Sequence, residues 1–158
     1  MTEASSHDSR VFNPGSLSPA ASVDFCGACH RTWIDVTMYM PLHLGIIDVR
    51  FQPYRLQKSR CWGANGDARI TCVACHDPHR PLVHDLSSHD LSSYDKNCLA
   101  CHTRGLHREG SKTPIAVCKV STTNCASCHM PKYAVPQAHA RFTDHDIRIV
   151  HPGDPVPE

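Results

Sequence analysis

Four pentapeptides in this chain repeat one arrangement of two cysteines and a histidine. They are Cys26-Gly27-Ala28-Cys29-His30, Cys72-Val73-Ala74-Cys75-His76, Cys98-Leu99-Ala100-Cys101-His102 and Cys125-Ala126-Ser127-Cys128-His129. On a helical turn, positions i, i+3 and i+4 share a face. Two thiols at that spacing can add to the two vinyl groups of one haem, while the adjacent imidazole reaches its iron from the same side. The pattern predicts haem attachment at Cys26 and Cys29, Cys72 and Cys75, Cys98 and Cys101, and Cys125 and Cys128. His30, His76, His102 and His129 are then the proximal axial ligands.

Zinc sites and dithiol redox centres also use C-x-x-C, but neither requires His directly after the second Cys. With 13 His in 158 residues, meeting one there four times out of four by chance is on the order of one in 20,000. Each attached haem keeps one axial position to fill. Beyond the motifs stand His7, His43, His79, His84, His89, His107, His139, His145 and His151. That surplus favours bis-histidine coordination, which lacks the potential-raising Met ligand and so predicts low potentials. Met38 and Met40 are the alternative donors near the first site.

The elements that must position these sites are short. First-cysteine intervals are 46, 26 and 27 residues, a repeat of sites rather than of a solenoid unit. Twelve Pro and eight Gly leave little room for long helices. Ser22 and Thr123 are expected N-caps ahead of the first and last sites. Trp33, Val36 and Met40 suit one helical face, whereas Ile47, Val49 and Phe51 alternate as a short strand that Pro53 ends. Residues 1–22 read as an extended arm, 23–150 as the haem-bearing domain and 151–158 as a Pro-rich tail.

Aromatics make up only 6% of the chain and four residues are Phe, so side chains alone supply a thin core. Four haems would leave about 40 residues for each, too few for separate pockets in one domain of this size. The expected fold is mainly irregular with short α-helices and minimal β structure, built around four closely packed haems. The net charge of +1 gives no nucleic-acid footprint. Eight haem propionates would take it to about −7.

Two cysteines, Cys61 and Cys118, are left after the motifs take eight of ten. An even remainder in an oxidising compartment predicts a disulfide, which would restrain the chain by ~4 kcal/mol in the loop-entropy model. Arg50, Arg55, Lys58, Arg60 and Arg69 form the one basic concentration, and one or two of them are expected to pair with propionates. Trp33 and Trp62 are expected to pack on haem edges.

Three stretches make the sequence resemble the multihaem cytochromes c, particularly small tetrahaem carriers such as the electron acceptor of hydroxylamine oxidoreductase. The haem modules fused to tetratricopeptide proteins are similar too. The first stretch is Cys75-His76-Asp77-Pro78-His79, whose second His in that family ligates a neighbouring haem. The second is Cys128-His129-Met130-Pro131-Lys132 with His139 and Thr143-Asp144-His145, similar to the family's C-terminal haem and its two donated His. The third is His43, 13 residues after His30 and downstream of Trp33. The likeness covers roughly residues 24 to 150. It implies distal ligation by His43, His79, His139 and His145.

The expected function is electron transfer, in which the protein sets position, ligation and exposure and the cofactor does the chemistry. Two other classes stay open: a haem enzyme acting on a small nitrogen or sulfur compound at one open iron, and a subunit of an extracellular haem filament. Redox proteins, such as other cytochromes or a membrane quinol-linked complex, are the expected partners, and a homo-oligomer is possible. Nucleic acid is not expected. No stretch of ~20 apolar residues predicts a membrane span. In the family resembled, haem is attached outside the cytoplasmic membrane, so the expected location is periplasmic or extracellular. No export signal is visible in Met1-Thr2-Glu3-Ala4-Ser5-Ser6.

Overall fold

The computed structural model describes residues 11–39, 45–62, 69–79, 92–103, 107, 112 and 114–156. His43, Met40, His84 and His89 lie outside them, as do His7 and the first ten residues of the expected arm. Among the described residues the chain is mainly helical and irregular, with one small antiparallel sheet. That matches the expected class.

Helix α1 runs Pro19–His30 and carries the first motif at its C-terminal end. Ser18 caps it by accepting the Ala21 N–H at 3.2 Å, and Pro19 occupies the first turn, where a missing N–H costs nothing. The expected cap, Ser22, is instead buried inside the helix, and α1 begins within the span read as an arm. Gly27 is forced by packing. A Cβ there would run into Thr32 Cγ2, because the chain turns back sharply at Arg31, whose φ is 67°.

Thr32 and Asp35 then form a reciprocal cap at the start of α2 (Trp33–Tyr39). Asp35 Oδ2 accepts the Thr32 N–H and Oγ–H at 2.9 Å each, while Thr32 Oγ1 accepts the Asp35 N–H at 3.2 Å. This is the capping-box logic with Asp in the third position. The face expected of α2 places Val36 in a core cluster with Phe51 and Tyr54, against which Ile47 packs.

The strand expected over Ile47, Val49 and Phe51 is not formed. Residues Gly45–Arg50 make a 3-10 helix, and α3 (Gln52–Lys58) follows at once. Pro53 begins this helix rather than ending a strand. Two very short helices carry later motifs, α4 (Asp95–Leu99) and α5 (Cys125–His129), while Cys72–Ala74 is a 3-10 turn. Asn124, not Thr123, is the N-cap residue of α5. Strands β1 (Lys132–Val135) and β2 (Ala140–Thr143) pair antiparallel, with Lys132 opposite Thr143 and Val135 opposite Ala140. No helix among the described residues is long and apolar enough to cross a membrane.

Candidate functional site

The four motifs are joined in space in the order of the sequence. Ser22 of α1 accepts the backbone N–H of Cys72 at 3.1 Å and so ties the second site to the first. Asn97 of α4 donates to the Cys75 carbonyl at 3.3 Å, linking the third site to the second. Asp95, 7% exposed, accepts the N–H groups of Asn124 and Cys125 at 2.7 and 2.8 Å. These are orphan donors at the start of α5, so Asp95 latches the fourth site to the third. The hydrogen bond from Cys125 is the first cause of the lowered Asp95 pKa. Each junction uses a short polar side chain to satisfy main-chain groups at a motif.

The thiols follow the same order. Cys72 stands next to Cys26, and burial with that neighbour pushes the Cys26 thiol up to about 11. Burial, then Asp95, pushes the Cys125 thiol up to about 12. Burial likewise raises Cys98, beside which Cys75 lies. A dithiol redox centre works through a lowered thiol pKa, and these motif thiols are shifted the opposite way. Among the described residues, no three or more His, Cys, Asp or Glu side chains gather as a group that could hold a bare metal ion.

Cys61, expected to pair with Cys118, is half-buried. Cys61 lies beside Cys75 and Cys98. Cys118 is exposed, and hydrogen bonds from the backbone of Ser121 and Val120 lower its pKa.

Several imidazoles have one ring nitrogen committed. A backbone carbonyl can only accept, so each such nitrogen carries the proton. His102 Nδ1 donates to the Ala116 carbonyl at 2.7 Å, and His129 Nδ1 to the Arg148 carbonyl at 2.8 Å. His145 Nδ1 donates to Thr143 O at 3.0 Å. Nε2 of each is thereby left with its lone pair outward, the arrangement that readies a histidine for a metal. His107 Nδ1 is held in the same way by Lys112 O at 2.8 Å. His107 is itself exposed.

The segment 144–148 fixes two of these rings, and its anchor is Arg55 on α3. Arg55 is fully buried and grips Asp144 with two parallel bonds, Nε to Oδ1 and Nη2 to Oδ2, each 2.8 Å. Arg148 Nη1 bonds Asp144 Oδ2 at 2.7 Å, and its Nη2 reaches the Tyr133 hydroxyl on β1 at 3.2 Å. Ser59 closes the other side. Its hydroxyl donates to His145 O at 2.6 Å and accepts the Ile147 N–H at 2.8 Å.

His145 lies against the second motif, its ring centroid 6.1 Å from that of His76, with the planes 30° apart. Burial pushes the His145 imidazole down to about 4, although the bond to Thr143 opposes this. Burial, then the nearby His30, lowers His76 as well. Both are therefore neutral near pH 7, the form that ligates metal. His76 Nδ1 is buried without a hydrogen-bond partner among the described residues.

The other expected distal ligands are placed differently. His79 is exposed, its N–H bonded to Asp77 Oδ1 at 3.0 Å in an Asx turn. His139 is exposed at the hairpin corner with φ 49°. Of the basic run, Arg55 is committed to carboxylates of the chain. Arg50 lies 4.8 Å over Phe51 and Lys58 lies 4.6 Å over Tyr54. Arg60 is exposed, and Arg69 donates to His107 O at 3.4 Å. Arg50 Nε and Trp62 Nε1 are buried without partners among the described residues, which fits an additional polar group beside them.

No protein-family model matches the chain, and neither the curated proteins nor the solved structures contain a significant match to it.

Proposed function

We propose that this chain is a tetrahaem c-type cytochrome that transfers electrons. The observation that carries the reading is the fourfold C-x-x-C-H motif, its copies joined in sequence order by Ser22, Asn97 and Asp95. The donor set suits the cofactor, because two thiols and an imidazole share each short turn and the neutral imidazole of His145, bonded through Nδ1, lies nearby. Cys26, Cys29, Cys72, Cys75, Cys98, Cys101, Cys125 and Cys128 make the attachments. His30, His76, His102 and His129 ligate from the proximal side, and distal ligands come from the remaining histidines. Bound there, haem supplies a one-electron Fe(III)/Fe(II) couple.

The chain's own residues do the rest. Carbonyls of Ala116, Arg148 and Thr143 fix the tautomers of His102, His129 and His145, and second bonds of this kind raise ligand basicity. Two imidazoles per iron keep the potentials low. Attachment takes place outside the cytoplasmic membrane, so the protein works in the periplasm or beyond the cell, exchanging electrons with other redox proteins.

Carbon monoxide tests the carrier function. Added to the reduced protein it should leave the Soret band unmoved, and the resting protein should show low-spin EPR signals alone. A haem that binds CO and is high-spin at rest would replace the carrier reading with that of a haem enzyme.

A further inference from the structure

We infer that His145 and His76 are the two axial ligands of a single iron, that of the haem attached through Cys72 and Cys75. The inference rests on the haem reading above and goes beyond it, since spacing along the chain leaves open which distal histidine serves which site.

The distance between the rings carries it. A metal–imidazole nitrogen bond is about 2.0–2.1 Å, and an imidazole nitrogen lies roughly 1.1 Å from its ring centroid. Two imidazoles bound from opposite sides of one metal therefore have centroids about 6.2 Å apart, on that bond length. The observed separation is 6.1 Å. At 30° the ring planes are too nearly parallel for an edge-to-face pair.

The anchoring of His145 makes this spacing a built feature. Its neighbour Asp144 is gripped by buried Arg55, its carbonyl by Ser59, and its Nδ1 by Thr143. With ring and backbone both fixed, one nitrogen remains for a ligand. His76 is fixed by the covalent geometry of its motif, and its N–H bonds Cys72 O at 2.9 Å. His139, four residues beyond Val135 in the same hairpin, has its N–H on Pro136 O but no ring hydrogen bond among the described residues, so the two C-terminal histidines are not equivalent.

The test uses the holoprotein. Mass and a pyridine haemochrome spectrum first count the haems in wild type and in His145→Gly. With four present in both, EPR of the variant should show one of four irons turned high-spin, and added imidazole should restore it. Four low-spin irons in His145→Gly would overturn the inference while leaving the haem reading intact. A haem-free wild type would instead overturn the reading itself.

The iron is identified by removing its attachment. In Cys72→Ala/Cys75→Ala, which keeps three haems, adding His145→Gly should leave all three low-spin. One high-spin iron among the three would assign His145 elsewhere. Should the variants not accumulate, paramagnetic NMR of the intact protein decides. His145 ring protons should cross-relax with the haem bound to Cys72 and Cys75, and contact with another haem would contradict the assignment.

Discussion

Arg55 is an always-charged side chain with no exposed surface, a costly arrangement unless its charge is met on all sides. Asp144 meets it through the bidentate fork, and Asp146 stands at 3.5 Å. Removing one partner of such a pair leaves the other charge buried alone. Arg55→Met should therefore cost about 3–5 kcal/mol, read by thermal or denaturant unfolding. Arg55→Lys should recover only part of this, since an ammonium cannot reproduce the fork. An unchanged midpoint in Arg55→Met would show that the pair does not anchor the segment.

The two carboxylates respond to acid in opposite ways. Burial would raise Asp144, but its bonds from Arg55 outweigh that and its pKa lies below the ordinary carboxylate value. Its contribution is present above the ordinary value and is lost as pH falls through the lowered one. Burial raises Asp146 despite Arg55 and Arg148, so its ionisation opposes folding above that raised pKa and the penalty lifts as pH falls. Asp146→Asn should thus stabilise the protein near neutral pH, and the gain should vanish in acid. Asp144→Asn should destabilise it near neutral pH, with the difference shrinking below the ordinary carboxylate range. Urea unfolding of both variants across pH 3 to 7 checks the signs. None of this network was legible in the sequence, because Arg55 and Asp144 are separated by 89 positions and charge runs usually mark solvated faces.

At the level of elements, stability comes from caps and close approaches rather than from long helices. Gly27 lets the end of α1 lie on Thr32, and Gly27→Ala should cost about 1–3 kcal/mol by overpacking. Unfolding midpoints measure that loss, and an unaffected Gly27→Ala would mean that the turn relaxes freely. Asp95→Ala should free the amides at the start of α5, seen as faster hydrogen exchange at Asn124 and Cys125 with α1 unchanged. The motif-bearing turns were legible from spacing alone. The element around Pro53 was not, since three alternating apolar residues suit a strand or a 3-10 turn and a Pro can either stop a strand or start a helix. Ser18-Pro19 was the readable start of α1, obscured by the Ser, Pro and Gly around it.

For the whole molecule, the sites run in chain order because each junction is made by a residue next to a motif: Ser22 before Cys26, Asn97 before Cys98, Asp95 two residues earlier. The motifs show that there are four sites; their order in space is a property of the fold that no spacing reveals. The leftover cysteines illustrate the same limit, because parity counts cysteines without placing them, and nothing in the spacing puts Cys61 beside the motif thiols Cys75 and Cys98. The C-terminal segment has the widest reach, holding His129 through Arg148 and bringing His145 to His76.

Everything above the level of the polypeptide depends on haem being covalently present in fourfold number. Intact mass of the purified protein, taken with its pyridine haemochrome spectrum, measures that directly. The expected result is a 17.5 kDa chain plus four haems that survive denaturation, with the spectrum shifted as two saturated vinyl groups per haem require. A colourless protein of unmodified mass, or one carrying zinc in place of haem, would contradict it.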